Sequence, residues 1–431
     1  MPQVKAYPFQ LRCKPAQEKL LRRFAGGLRW IWNHALAEQQ RRHVAGEPFS
    51  NYIAMAKWLT AWRCAPDTCW LAEGPMHPQQ QVLKRLEVAY KRFFSKAGGF
   101  PSFKRHGDDP GIRYPDPKQF VLDQANGRIK LPKLGWVRLR QSQKVEGELR
   151  NVSLRRDGTK WLCCLQVQTG QTLAAAGLVP TLGLDAGITV FAAGSDGCMT
   201  PPLKAMKCQQ QRLRRYQKSV SRKCKGSKNR KKAVARLGNL HRKIARQRSD
   251  WLHKLTTALA GRHPVIAIED LKIKNMSASA KGTAEKPGKN VNAKSGLNKA
   301  ILDAAWGEFA RQLEYKLGWR GGELIKVNPA YTSQKCSACG HTHADNRKSQ
   351  AAFACLGCGH KDNADSNAAR NILAAGHAAW AERKRKPEAC GEVVRREAFA
   401  KKQRAASVKQ EPTEGEARAS ARADSAGIPV V

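Results

Sequence analysis

T-L-G-L-D-A-G-I-T-V-F-A-A-G-S-D-G-C-M-T, residues 181–200, opens on a short apolar run that ends in an acid and then turns twice. Its alternation predicts three strands over 182–185, 188–193 and 198–200, with Ala186-Gly187 and Asp196-Gly197 as the turns. Asp185 then closes a buried strand, and Gly183 and Gly187 keep side chains out of its way. The reading of the whole chain depends on whether other acids stand in comparable places. Two do. V-I-A-I-E-D, residues 265–270, is a second buried strand ending at Glu269, and D-N-A-D-S-N-A-A-R-N, residues 362–371, leads a loop into a helix at Asp365. Small Ala368 and Ala369 let that helix pack closely on a sheet.

Taken singly, each acid has a mild explanation: Asp185 starts a hairpin, Glu269 caps the next segment, Asp365 is an N-cap. Their order changes the weighing. A three-strand meander that opens with an acid, a later strand ended by one and a final helix begun by one match a ribonuclease-H-like sheet, whose acids converge at neighbouring strand ends. Gathered carboxylates repel one another unless cations neutralise them. Two magnesium ions about 3.5–4 Å apart, held by such hard oxygens, activate a water and stabilise the oxygen leaving a phosphodiester.

The totals agree with a polyanionic substrate. The 431 residues suit two or three domains, and 78 Lys and Arg against 34 Asp and Glu give a formal charge of +44. Such self-repulsion is relieved on nucleic acid, an anionic membrane surface being the rival. No run of eighteen apolar residues occurs and the first residues lack the apolar core of a signal peptide, so no membrane partner is expected. A cytoplasmic place is expected, on the nucleoid in a bacterium.

Outward from the central stretch, the fold class reads as α/β and multidomain. Residues 2–13 form a strand, and the apolar spacing of Leu20, Leu21, Phe24, Leu28, Ile31, Trp32 and Leu36 starts a helical insert over 15–96, with further helices at 52–62 and 79–94. Short strands at 120–122, 128–131, 136–140, 152–155 and 161–168, the last two joined by an Asp157-Gly158 turn, suggest a small β-barrel. The expected domains are therefore 1–14 with 97–178 (barrel), 15–96 (helical), 179–330 with 360–380 (nuclease sheet) and 331–359 (zinc ribbon), then a disordered tail over 381–431. Residues 204–250 hold eighteen Lys and Arg and one acid, Asp250. Val234, Leu237, His241, Ile244, Leu252, Leu255 and Leu259 keep helical spacing there, which predicts a long hairpin with one buried face and one basic face. Residues 273–298 read as a mobile loop and 301–317 as one helix.

Thirteen cysteines are an odd count without a dense framework. Nine of them, Cys13, Cys64, Cys69, Cys163, Cys164, Cys198, Cys208, Cys224 and Cys390, read as buried reduced thiols. Cys336, Cys339, Cys355 and Cys358 differ: C-x2-C-x15-C-x2-C fits a tetrahedral four-thiolate zinc site with no open position, hence structural zinc. His341, His343 and His360 nearby read as loop residues or phosphate contacts rather than ligands.

T-L-G-L-D-A-G, V-I-A-I-E-D-L, T-S-Q-K-C-S-A-C-G and D-S-N-A-A-R-N-I resemble the split RuvC motifs and zinc ribbon of the TnpB proteins of bacterial insertion sequences, relatives of the type V CRISPR effectors. L-R-W-I-W-N-H-A-L, L-E-V-A-Y-K-R-F-F, G-F-P-S-F-K and I-K-L-P-K-L-G-W-V are similar to the family's N-terminal half, so the resemblance spans about residues 3–375. It implies an RNA-guided DNA endonuclease that binds a structured guide RNA, reads a short motif in double-stranded DNA and cuts with one RuvC site. It further implies a helical recognition domain over 15–96, a wedge domain in the barrel, and a monomer on its RNA. By matching motif, Asp185, Glu269 and Asp365 become the catalytic, magnesium-binding acids and the four cysteines the zinc ligands. The last motif departs from the family's acid-Arg-acid: here it is Asp362-Asn363-Ala364-Asp365, and Asp365 keeps the frame before Asn367. Tyr52, Gln80, Lys118 and Gln119 fall where the family reads its DNA motif, and Arg214, Arg215, Arg222, Lys231 and Lys232 are candidate RNA contacts on the basic hairpin.

Three rivals stand beside this reading. A nuclease-silent RNA-guided repressor is weighed against by the presence of all three acids. A strand-transfer transposase shares the fold and metal chemistry, and a purely structural RNA-bound zinc ribbon needs no acids at three element ends.

Overall fold

The structure, a computed structural model, describes residues 3–108, 110–170, 179–283, 285–347, 349 and 351–385. The chain divides into two compact units, residues 1–175 with 203–255 and 319–321, and residues 176–202 with 256–318 and 322–431.

The first unit begins with β1 (Gln3–Arg12), which alternates and buries Tyr7, Phe9 and Leu11. The insert comes next as α1 (Pro15–Val44), α2 (Tyr52–Cys64) and α3 (Met76–Phe94), with a 3-10 turn at Cys69–Glu73. Proline in the first turn starts α1, and the Asn51 side chain caps α2 by accepting from the Ala54 N–H at 3.1 Å. Six strands return to β1: β2 (Ile112–Tyr114), β3 (Val121–Asp123), β4 (Arg128–Leu131), β5 (Gly135–Arg140), β6 (Glu148–Asp157) and β7 (Lys160–Thr169). Of these, β2 was not expected from the sequence, because three residues between a glycine and a proline carry no period. The sheet order is β2-β6-β7-β1-β5-β4-β3, and among the described residues no pairing joins β2 to β3. One apolar core runs under sheet and helices alike, from Leu28, Ile31 and Leu86 to Leu154 and Leu165.

Next in the chain come β8 (Leu182–Asp185), β9 (Ala192–Gly194) and β10 (Met199–Thr200), then α4 (Ala205–Cys208), α5 (Gln210–Ser221) and α6 (Lys228–Arg262). Helices α5 and α6 form the expected basic hairpin, but its buried face is Ala233, Leu240 and Ile244 with Leu213, while Val234 and His241 point outward. The middle strand is shorter than the pattern over 188–193. Gly187 and Phe191 close a tight loop there, with the Gly187 N–H donating to the Phe191 carbonyl at 3.3 Å.

The second unit continues with β11 (Val265–Glu269), α7 (Ile273–Met276), α8 (Val291–Ala304), α9 (Trp306–Gly318), β12 (Glu323–Val327), β13 (Ala352–Ala354), β14 (Lys361–Asn363) and α10 (Ala364–Arg385). Two expectations need correction. The predicted loop is partly helical, because Lys294 and Asn298 donate back to the carbonyls of Met276, Ser277 and Ala278. The single helix over 301–317 is two, broken where Ala305 takes a left-handed φ of 57°. The sheet runs β10-β9-β8-β11-β12, antiparallel through β8 and parallel from β8 to β12. Helix α10 extends to Arg385, past the predicted start of the tail, and the rest of that predicted disorder lies outside the described residues. No helix among the described residues is long and apolar enough to cross a membrane.

Candidate functional site

Strand geometry puts two of the acids side by side. In the parallel pair β8–β11, Leu182, Gly183 and Leu184 face Ile266, Ala267 and Ile268, so Asp185 and Glu269 are the next residues on adjacent strand ends. The period of two then turns Gly183 and Asp185, with Val265, Ala267 and Glu269, to one face of the sheet. Helix α10 covers that face through Ile372, packed on Val265, Ala267, Ile325 and Val327.

Small residues let α10 come close. A Cβ on Gly183 would lie 2.2 Å from the Ala369 carbonyl oxygen, and one on Gly376 would lie 2.6 Å from the Ala267 Cβ. Helix and strand meet almost backbone to backbone, which brings Asp365 in the first turn of α10 toward the strand ends. Asp365 is not the N-cap. Asn363 fills that place, its side-chain oxygen accepting from the N–H groups of Asp365 at 2.9 Å and Ser366 at 3.3 Å. The Asp365 carboxylate is thereby released from capping.

Asp185 senses the other two acids. Burial, then Glu269 and Asp365, push the Asp185 carboxyl up to about 7, while Arg347 opposes the rise. Burial also raises Glu269, and the Thr332 hydroxyl, donating to its Oε1 at 2.6 Å, works against it. Arg347 lies 3.4 Å from Asp365 Oδ1. Thr332 and Arg347 were not singled out in the sequence: a lone threonine and a lone arginine carry no spacing signal. Asp362, the alternative acid in the last motif, is instead paired with Arg370. Among the described residues, the three carboxylates do not draw within 4.8 Å of one another as a set.

The cysteines do. All four sulfurs lie within 4.8 Å of one another, with Cys336–Cys358 at 3.8 Å and Cys339–Cys355 at 3.6 Å. A tetrahedron with bonds of about 2.3 Å has edges of about 3.8 Å, so the set fits zinc. Two knuckles repeat the same bonds. Gly340 N–H donates to the Cys336 carbonyl and Cys336 N–H to that of His341, and Gly359, Cys355 and His360 repeat the pattern. Gly340 and Gly359 supply the positive φ, 78° and 75°. The N–H groups of Cys358 and Gly357 pull the Cys355 thiol down to about 6, toward the thiolate that a metal needs. Buried Asn346 ties the knuckles together, donating to the Gln334 and His341 carbonyls and accepting from the Leu356 N–H. The nine other thiols do not share one environment. Cys163 is buried, Cys13 and Cys164 are half-buried, and Cys64, Cys69, Cys198, Cys208 and Cys224 are exposed, at odds with the buried reading; Cys390 lies outside the described residues.

Ribbon and carboxylate site are stitched together. Asn367 accepts from the Ser337 N–H and donates to the Lys335 carbonyl, and Asn371 donates to the carbonyls of Thr332 and Lys335. The run 332–337 therefore touches Glu269 at one end and includes Cys336 of the four-thiol cluster at the other.

The remaining candidates stay scattered over the first unit. Tyr52 opens α2 under the Lys84 ammonium, half-buried Gln80 sits on α3, and Lys118 and Gln119 lie in the 3-10 turn Pro117–Gln119. Arg214, Arg215, Arg222, Lys231 and Lys232 are all exposed, as a basic face requires.

An acid-bearing sheet with a closed thiolate module ahead of its last helix defines the class of zinc-ribbon nucleases, and comparison with known proteins narrows it. Family models match residues 1–47 ("Helix-turn-helix domain"), 164–280 ("Probable transposase", of the OrfB_IS605 type) and 306–372 ("Cas12f1-like, TNB domain"). The chain is 47% identical over 355 residues to the "Putative RNA-guided DNA endonuclease InsQ" of Escherichia coli, covering 82% of this chain and 88% of that one. A Streptomyces pristinaespiralis protein of like description is 33% identical over 420 residues, covering 96% and 97%. Among solved structures, the Cas12f1-sgRNA-target DNA complex superposes with a TM-score of 0.53 at 15% identity over 86% of this chain and 99% of that one, a likeness of fold. The chain belongs to the TnpB family of insertion-sequence proteins.

Proposed function

We propose that this protein is an RNA-guided, divalent-metal-dependent DNA endonuclease that holds a structured guide RNA and cuts double-stranded DNA beside a short motif read by the protein. One observation supports the reading: Asp185 and Glu269 end adjacent strands and Asp365 opens the helix packed on the same sheet face, where burial first, and then the charges of Glu269 and Asp365, raise the Asp185 carboxyl to about 7. The strand order β10-β9-β8-β11-β12 supports a ribonuclease-H-like, RuvC-type sheet.

Hard carboxylate oxygens on three half-buried acids suit magnesium, which when bound would supply Lewis acidity and a water of lowered pKa. Asp185 and Glu269 hold the strand-end side of the site and Asp365 the helix side. Thr332 fixes the Glu269 rotamer, and Arg347 beside Asp365 meets negative charge on the scissile phosphate. In the step itself, a water oxygen loses a proton to solvent and bonds to phosphorus as the bridging P–O bond breaks, and the departing sugar oxygen takes up a proton and leaves as a hydroxyl. Cys336, Cys339, Cys355 and Cys358 hold zinc as structure, and the ribbon guides the strand to the acids. The strand-rich region of the first unit acts as wedge, residues 15–96 as recognition helices and the α5–α6 hairpin as an RNA surface. A cytoplasmic, nucleoid-bound protein is the consequence of those partners.

The test is magnesium-dependent cleavage by the RNA-loaded protein. Asp185→Ala should lose cleavage by on the order of 10³-fold, about 4 kcal/mol of barrier, with RNA binding intact. Asp362→Asn, which removes the ion pair with half-exposed Arg370 but leaves the three candidate acids in place, should cut within about twofold of wild type. Equal cleavage by Asp185→Ala and wild type would remove the enzyme reading. The match to a model described as "Probable transposase" keeps strand transfer as a second reading. Sequencing the products separates simple breaks from joined ends.

A further inference from the structure

Away from the acids, the first unit carries a concavity of about 360 Å³ where the β6–β7 turn faces α6. Asp157 and Lys160 pair across that turn, and Gly158 takes the left-handed φ of 66° that a two-residue hairpin demands. A Cβ on Gly158 would lie 2.4 Å from the Arg242 Cζ, so the missing side chain leaves the guanidinium its seat. Asp157 then holds two arginines one helical turn apart, Arg246 at 2.5 Å from Oδ2 and Arg242 at 3.9 Å from Oδ1. Arg242 also donates to Asn239 Oδ1 at 2.7 Å. Lys160 and Lys243 line the same concavity, so four cationic groups stand around one carboxylate.

A mere clasp of α6 on the hairpin would need no such surplus of cations. The arginine side chains remain 31% and 50% exposed, where an ion pair contributes little stability. A guanidinium gripped along one edge keeps N–H donors on the others.

We infer that this cradle binds a backbone phosphate of RNA, with Asp157 as the positioning residue that aims Arg242 and Arg246 at it. The inference rests on the proposed RNA partner. RNA is favoured over duplex DNA because Thr159, Asn239 and Gln247 place neutral donors and acceptors beside the cations, suited to a 2′-hydroxyl.

The experiment measures, against salt, the affinity of full-length protein for the RNA that co-purifies with it, and for duplex DNA in parallel. Arg242→Ala with Arg246→Ala should weaken RNA binding by about 10–100-fold and reduce the salt slope by about 1–2. Asp157→Asn is the sharper variant. It makes the protein more positive, so bulk electrostatics alone tightens binding, whereas loss of positioning weakens it by about 3–10-fold. Asp250→Asn, the same charge change at an exposed acid paired with Lys254 at 2.8 Å, serves as control and should bind at least as tightly as wild type. Asp157→Asn matching Asp250→Asn, with both melting like wild type, overturns the proposal. So does an arginine effect confined to DNA. Failure of the wild type to cut would sink the nuclease reading yet leave the RNA comparison intact, while absence of any co-purifying RNA sinks both.

Discussion

The second unit builds two candidate metal sites from opposite materials. The thiolate site takes four soft ligands from a span of 23 residues, and its sulfurs already stand at tetrahedral distances. The carboxylate site takes three hard ligands from residues 185, 269 and 365, and its oxygens do not close to the same degree. The first is made by short-range backbone bonding: each knuckle fixes its own turn, and one buried asparagine joins the pair. The second is made by topology, since only the parallel pairing of β8 with β11 and the close seat of α10 bring its parts together. A site made locally survives errors elsewhere in the chain. One made by topology inherits every error of the sheet.

Stripping zinc, or Cys339→Ser, should have the largest effect and asks how far the two sites are separate. The stitches from Asn367 and Asn371 to 332–337 predict that ribbon collapse frees Thr332 from Glu269, cutting cleavage by more than about 100-fold and lowering the melting temperature, with RNA binding retained. Zinc-free protein that cuts at the wild-type rate would make the sites independent. Gly183→Ala comes next. With 2.2 Å between the new Cβ and the Ala369 oxygen, α10 has to shift, destabilising the second unit by about 3 kcal/mol and slowing cleavage, by less than zinc loss does, while all seven candidate ligands remain. Unfolding curves and zinc content, measured together, distinguish this from damage to the ribbon.

Proton linkage separates the two sites more gently. The Asp185 carboxyl rises from 3.8 to about 7 on folding, so the folded state binds the extra proton between those values. Magnesium-free protein is then favoured at the low end of that window and loses on the order of a few kcal/mol as pH rises through it. Added magnesium should raise the melting temperature more at pH 8 than at pH 6; an equal rise at both would contradict a cation seated at Asp185. Thr332→Val is the smallest change. It removes the 2.6 Å bond to Glu269, further raises that carboxyl, and should slow cleavage about tenfold at fixed magnesium, with partial rescue at higher concentration.

Legibility in the sequence divides along the same line. Cys336 to Cys358 were legible because ligand spacing is itself the signal. Asp185 and Glu269 were legible because each ends an apolar run, and the order of elements supplied what spacing could not. Asp365 was legible only through its frame with Asn367, and the rival reading of it as an N-cap fails because Asn363, two residues earlier, has the same capping chemistry and takes that place. Thr332 and Arg347 stayed hidden because their roles depend on residues 63 and 18 positions away. On α6 the expected stripe holds at Leu237, Ile244, Leu252, Leu255 and Leu259 and fails at Val234 and His241, since alanine at 233 and valine at 234 serve a helical stripe equally well until the partner helix is known.

Gly183 has a consequence for how this protein can change over generations. A hole in a side-chain core can be refilled by a neighbour, and a bulky newcomer can be met by trimming the residue opposite. Where main chain rests on main chain, nothing is left to trim. A descendant that gains one methyl group there has few ways back besides reversion of the same codon, so a strict evolutionary constraint on this sheet falls on a residue that takes no part in the chemistry.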